Sequence, residues 1–123
     1  MNNSQYFYRT VVYTRKNNEI GFVDINQPDQ VTPLGEWLGL VVSLADGAHT
    51  IQELLDYVSS RYSSAPANLE ETVHSVIERL QEGGLIKLSE SPVALPYYLA
   101  EPLESLDVEK ARKLIGEDGY TVH

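Results

Sequence analysis

The sequence predicts an α+β fold in which short strands come first and three helices with a closing strand follow. Two observations predict it. The run Tyr6-Phe7-Tyr8-Arg9-Thr10-Val11-Val12-Tyr13-Thr14-Arg15 is rich in aromatic and β-branched residues, which suit a pleated surface. Between Leu34 and Leu88, three apolar-periodic segments each have their own start and stop signals, and the stretch closes on Gly83-Gly84-Leu85-Ile86-Lys87-Leu88. Three helices followed by a short strand is the layout of a small winged-helix domain. Domains of that kind bind partners more often than they catalyse reactions.

Residues 6–15 read as the first strand, and Lys16-Asn17-Asn18-Glu19 supplies a polar turn. Ile20 to Ile25 read as the second strand, Asn26-Gln27-Pro28-Asp29 as the next turn, and Gln30-Val31-Thr32 as a short third strand. Pro33 has no ladder donor, so the third strand ends there or lies at the sheet edge. In the first helix Trp37, Leu38, Val41, Leu44 and Ala45 share a face, and Asp46-Gly47 ends it with Gly47 suited to the left-handed C′ position. Thr50 with Glu53 makes a capping box for the second helix, whose stripe is Ile51, Leu54, Leu55, Val58 and Tyr62. Residues 63–67 form a loop. Asn68 caps the third helix with Glu71 three residues on, its stripe is Leu69, Val73, Val76, Ile77 and Leu80, and Gly83-Gly84 stops it.

Beyond Leu88 the composition changes. Ser89-Glu90-Ser91-Pro92 and Pro96 mark a linker with Tyr97-Tyr98-Leu99 as an apolar island. Asp107 caps a last amphipathic helix with Val108, Ala111, Leu114 and Ile115 on one side, and Gly116 stops it. The expected organisation is a domain over residues 1–90 and a linker with an amphipathic tail over 91–123. Because a core is complete without the tail, Tyr97, Tyr98, Leu99, Leu114 and Ile115 are expected to dock onto a partner.

At 123 residues and 42% apolar composition the chain suits one domain with a modest core. It has no cysteine, which excludes disulfides, thiol catalysis and thiolate-bound metal or iron–sulfur clusters. The first residues lack the basic and apolar regions of a secretory signal, and no run reaches the roughly 20 apolar residues that span a bilayer. A cytoplasmic protein without membrane contact is expected. Eighteen acidic residues against 9 basic give a net charge of −9, which works against nucleic-acid binding. Arg9, Arg15 and Lys16 precede the first acid, Glu19, and read either as a small basic patch or as the charges that protect an edge strand.

No constellation for catalysis is present. His49, His74 and His123 do not recur at metal-ligand spacing, and His49 reads as a surface turn residue. Ser43, Ser59 and Ser60 lack a nucleophile-elbow context. Gly83-Gly84 is a helix stop rather than a phosphate cradle, and Glu70-Glu71 suit the first turn of a helix. No catalytic residue, metal site or cofactor is expected.

The D-G-x-x-T-I-x-E-L run from Asp46 to Leu54 is followed by Arg61-Tyr62 and then by Leu80-x-x-Gly83-Gly84-Leu85-Ile86. In combination these features resemble the PqqD-like family, the peptide-binding modules known as RiPP recognition elements. The resemblance covers roughly residues 6–90 and leaves the tail unexplained. It implies a three-stranded antiparallel sheet followed by three helices. It also implies that the leader of a ribosomally made precursor peptide adds as a further strand on the third one. Carried over, the docking edge is Gln30, Val31, Thr32 and Pro33, and the groove wall on the third helix is Thr72, Val76 and Arg79, with Arg79 placed to meet a leader carboxylate. Gly35 stands where many relatives have Asn, and Pro33 removes one edge donor.

The function expected on this basis is that of a non-enzymatic peptide chaperone. It would present a precursor peptide to a modifying enzyme, in the family often a radical S-adenosylmethionine enzyme. A leader-binding subunit of a lasso-type peptidase is the alternative within the fold. A winged-helix DNA-binding regulator is the alternative outside it, disfavoured because residues 68–82 hold four acids and one Arg where a reading helix offers cations and amides. A plain structural subunit is a third class, and homodimerisation through an exposed edge strand is left open.

Overall fold

The run of residues 6–15, expected as one strand, turns at Thr10-Val11 and enters two different sheets. The structure is a computed structural model and describes residues 2–17, 19–23, 27, 29–61 and 68–118. β1 (Tyr6–Arg9) is the middle strand of one antiparallel sheet. The chain then forms β2 (Val12–Lys16), β3 (Glu19–Val23) and β4 (Thr32–Pro33), which make a second antiparallel sheet in that order. The helices α1 (Glu36–Leu44), α2 (Ile51–Arg61) and α3 (Leu69–Glu82) follow. β5 (Asp46–Thr50) separates the first two helices and β6 (Ile86–Ser89) follows the third; they flank β1 on either side. The tail forms a one-turn α4 (Tyr97–Ala100), a 3-10 turn (Leu103–Ser105) and α5 (Val108–Asp118). The molecule is thus the winged-helix-like α+β arrangement of a three-stranded antiparallel sheet, three helices and a tail helix, with a second sheet added. The change of sheet is held by Thr10, whose N–H donates to Leu85 C=O at 2.9 Å and whose Oγ1 donates to Gly84 C=O at 2.7 Å.

The helix ends obey local chemistry where side chains are free to do so. Glu53 N–H donates to Thr50 Oγ1 at 3.2 Å and Thr50 N–H to Glu53 Oε1 at 3.0 Å, which completes the expected capping box. At the end of α3, Gly84 N–H donates to Gln81 C=O and Leu85 N–H to Leu80 C=O, with Gly84 at φ +74°. This is a Schellman motif. Asp107 accepts the Lys110 N–H on its carboxylate and caps α5.

Other ends differ from expectation. Asn68 makes no side-chain cap bond, and its backbone carbonyl takes the Thr72 N–H instead. Gly47 does have a left-handed φ of +78°, but it lies inside β5 rather than at C′; a Cβ there would strike the Val93 carbonyl, which sits over the strand. Gly116 does not stop α5, which runs to Asp118. Tyr62, the 63–67 loop, Asp24, Ile25, Asn26, Pro28 and residues 119–123 lie outside the described residues.

Two cores lie on opposite faces of the β2–β3 hairpin. Cross-strand partners share a face, so the alternation in the hairpin separates Tyr13, Arg15, Ile20 and Phe22 from Val12, Thr14, Gly21 and Val23. Tyr13 belongs to the larger core, where Phe7, Val41, Val42, Ile51, Val58, Ile77 and Leu80 are buried. Val12 and Val23 belong to a second core completed by Tyr98, Leu99, Ala111 and Ile115. The tail is therefore not a free docking segment. Tyr98, Leu99 and Ile115 are 3%, 6% and 9% exposed, and Tyr97 and Leu114 pack half-buried beside them. The correction has a simple cause: Val12 and Val23 give the hairpin a second apolar face that needs a cover.

Arg9 joins the two halves. Only 1% exposed, it donates from Nη1 to Val42 C=O (3.0 Å) and Ser43 C=O (3.1 Å) at the end of α1. It also donates from Nε to Leu99 C=O (2.9 Å) and from Nη2 to Ala100 C=O (3.1 Å) at the end of α4. Its guanidinium stacks 4.3 Å above the Tyr13 ring. Burial lowers its pKa from the ordinary value, while Tyr13, Asp46 and Glu101 act in the opposite direction. Arg9 is accordingly a structural cation and not part of a basic surface patch.

Replacing Arg9 by Met should lower unfolding free energy by about 3–5 kcal/mol in urea titration, because buried carbonyls lose charged donors. Lys should not restore it, since one ammonium lacks the planar fork. A loss of under ~1 kcal/mol would remove the assigned role. Deleting residues 97–123 should likewise destabilise the remainder, by exposing Val12 and Val23; unchanged unfolding of the truncated chain would show that the second core is dispensable.

The Tyr98 hydroxyl donates to Asp118 Oδ2 at 3.1 Å, and burial together with that carboxylate pushes its pKa up to about 12 from 10.0. A pKa raised on folding stabilises fully below the unfolded value and is lost as pH rises through the folded one. The stability advantage of the native chain over Tyr98→Phe, about 1 kcal/mol near neutrality, should hold to about pH 10 and shrink toward pH 12. An advantage that stays constant over that interval would rule the bond out as its source.

Candidate functional site

The outer side of β4 is an unpaired strand edge among the described residues. Its register shows which groups are free. Phe22 pairs with Thr32 and Gly21 with Pro33, and Leu34 N–H donates to Ile20 C=O at 2.9 Å. Antiparallel strands alternate pairs that exchange hydrogen bonds with pairs that do not. Leu34 and Thr32 therefore turn their polar groups toward β3, while Pro33 and Val31 turn theirs outward. The missing N–H of Pro33 falls on the outward side, the position an edge tolerates. What the edge offers is the Val31 N–H and C=O and the Pro33 C=O.

Val31 itself is 42% exposed, one of two large apolar residues exposed to solvent among the described residues. Its side chain covers Gly21, where a Cβ would come within 2.6 Å of the Val31 Cγ1. Gly21 thus lets β4 lie flat against β3. Gln30 and Thr32 are exposed, and Gln30 N–H turns back to Gln27 C=O at 3.0 Å.

The expected wall on α3 is different from what the sequence suggested. Val76 is 8% exposed and packs into the larger core, Thr72 is half-buried, and Arg79 is exposed to solvent. None of the three lines the grooves described next. The reason lies in the breadth of the α3 stripe: Val73, Val76, Ile77 and Leu80 all turn inward, so Val76 has no free side to offer.

Beside β4 the chain instead opens a groove of about 800 Å³ walled by α1, α2 and the β2–β3 hairpin. Leu40 and Leu44 of α1, Ile20 of β3, Tyr57 and Arg61 of α2 and Arg15 of β2 face it, and Pro33 to Glu36 close one end. It continues past Ser43, Leu44 and Tyr57 into a smaller hollow of about 270 Å³ bordered by Asp46, His49 and Glu53. α1 was expected to bury Leu44; it buries Val41, Val42 and Ala45 and leaves Leu40 and Leu44 half-exposed along the groove. Tyr57 is 38% exposed, with Arg61 5.8 Å from its ring.

The polar groups at the small end are already engaged. His49 Nδ1 lies 3.0 Å from Asp46 Oδ1, and Ala48 N–H donates to the same oxygen at 2.9 Å. Burial pushes the Asp46 pKa up, but the Ala48 and His49 bonds and Arg9 more than offset this and leave it lowered. Glu53 is held in the capping box. No group of acids and histidines able to hold a metal ion occurs among the described residues.

The sequence reading missed this groove. Its signals were the composition of α1, where apolar residues occupy more than one face, and the lone Tyr57 on the polar side of α2 between Glu53 and Arg61. Comparison with protein-family models, curated proteins and solved structures finds no match. No helix among the described residues is long and apolar enough to cross a membrane.

Proposed function

We propose that this chain is a non-enzymatic, cytoplasmic peptide-binding module of the RiPP recognition element type. In this reading it takes the leader of a ribosomally synthesised precursor peptide as an added strand and presents it to a modifying enzyme, a radical S-adenosylmethionine enzyme. Neither cofactor nor nucleic acid has a part in it. The observation that supports it most is the outward-facing edge of β4, with the Val31 N–H and C=O and the Pro33 C=O unpaired among the described residues, beside an open groove. Strand addition draws affinity from such main-chain groups and specificity from alternate side-chain pockets. One donor and two acceptors make a short ladder, so the groove must contribute most of the discrimination between peptides. The small number of edge donors also weakens pairing of two β4 edges in a homodimer.

The test is an NMR titration of the full chain with the leader of a precursor peptide encoded beside it. The Val31 amide should shift and gain protection from exchange. Val31→Pro removes the one outward donor of this edge among the described residues and should weaken binding roughly tenfold. A Val31 amide that stays still while a different surface responds would reject strand addition at β4.

A further inference from the structure

We propose that the outer edge of β6 accepts an extended segment of a second polypeptide as an antiparallel strand, with a carboxylate-bearing residue opposite Lys87. This edge belongs to a different sheet from β4, so the inference goes beyond the leader-binding reading and does not depend on it.

The register fixes which groups this edge offers. β6 has β1 on one side and no strand on the other among the described residues. Tyr6 pairs with Ser89 and Tyr8 with Lys87, and Thr10 N–H donates to Leu85 C=O at 2.9 Å. Leu85, Lys87 and Ser89 therefore turn their polar groups toward β1, and Ile86 and Leu88 between them turn theirs outward. Neither the N–H nor the C=O of Ile86 or Leu88 has a hydrogen-bond partner among the described residues. The edge thus presents two donors and two acceptors in alternation, one donor more than β4. The Ile86 side chain is buried in the larger core and Leu88 packs against it, which anchors the strand in extended form before a partner arrives.

Lys87 selects among occupants. It is exposed at the middle of the edge, and its face of the sheet carries Leu85, Ser89, Tyr6, Tyr8 and Thr10, none of them an acid. Lys87 has no ion pair among the described residues. Acids on neighbouring elements are placed or engaged elsewhere. Glu90 accepts from Gln5 Nε2 at 3.0 Å, Asp46 lies across β1 and is held by Ala48 and His49, and α3, with Glu78 and Glu82, packs on the opposite face. Two copies of this chain do not suit the edge. The register that joins Ile86 of one copy to Leu88 of the other uses all four groups, but it sets the two Lys87 side chains directly opposite each other. A strand with a carboxylate at that position makes the same main-chain bonds and replaces the repulsion by attraction.

Three blocked pentapeptides serve as probes: acetyl-Thr-Val-Glu-Val-Thr-amide, the same peptide with Lys in place of Glu, and the Glu peptide with both Val nitrogens methylated. In NMR titrations of the full chain at low salt, the Glu peptide should shift the Ile86 and Leu88 amides and slow their exchange. The Lys87 amide, already turned toward β1, should gain less protection. The Glu peptide should bind roughly threefold tighter than the Lys peptide, the scale of one exposed charge pair, and Lys87→Glu should reverse that order. Methylation should abolish binding, because it removes the donors that strand addition needs. No shift at Ile86 or Leu88 with millimolar peptide, equal affinity for the Glu and Lys peptides, undiminished binding of the methylated peptide, or an unreversed order in Lys87→Glu would overturn the proposal. Movement of these amides on dilution of the protein alone would also overturn it, since a second copy would then hold the edge. Shifts confined to Val31 would support strand addition at β4 and overturn it at β6, so the two readings fail separately.

Discussion

Every larger feature of this molecule depends on the buried guanidinium of Arg9. An α-helix leaves carbonyls unsatisfied at its C-terminus, and a cation in the last turn is the usual local remedy. α1 has no basic residue in its last turn. The cation comes from β1 instead, and its remaining donors reach the carbonyls of Leu99 and Ala100. One planar side chain with five donors in a fixed fork satisfies two helix ends that are far apart in sequence, a geometry that a point-like ammonium does not reproduce. The cost of removing a charge from water is offset by four carbonyl contacts and the face of Tyr13.

That clamp explains why the tail belongs to the fold. The β2–β3 hairpin is apolar on both sides, with Tyr13 and Ile20 facing the helices and Val12 and Val23 facing away. A two-sided hairpin needs a layer on each side. The helices provide one and the tail provides the other, and Arg9 fixes the spacing between them. The division expected near residue 90 fails for this reason: an amphipathic tail helix of 11 residues is marginal alone, yet it is stable where Ala111 and Ile115 can cover Val12 and Val23.

The hairpin also places the candidate site. Because one face is committed to the tail, Arg15 and Ile20 are presented toward α1, and β4 is left as the outer strand of the sheet. The edge around Val31 and Pro33 was legible in the sequence, since a short β-prone segment ending in proline is suited to a sheet boundary. Which of its groups face outward was not legible, because that depends on the register with Gly21 and Phe22. The wall was misplaced on α3 for a related reason. Spacing identifies an apolar stripe but not how wide a stripe its neighbours bury, and Val76 proved to be inside it.

The sequence by itself determined the local elements. The Thr50–Glu53 box, the Gly83-Gly84 stop, the Asp107 cap and the stripes of α2 and α3 are all encoded within a few residues of where they act, so short-range chemistry suffices to read them. The tertiary structure alone decided the break of the first strand into two sheets, the left-handed Gly47 under Val93, the burial of Arg9 and the docking of the tail. Each of these joins residues distant in sequence. A β-branched run, a glycine and an arginine look the same in sequence whether they face solvent or a partner element, and only the partner's position in space settles which.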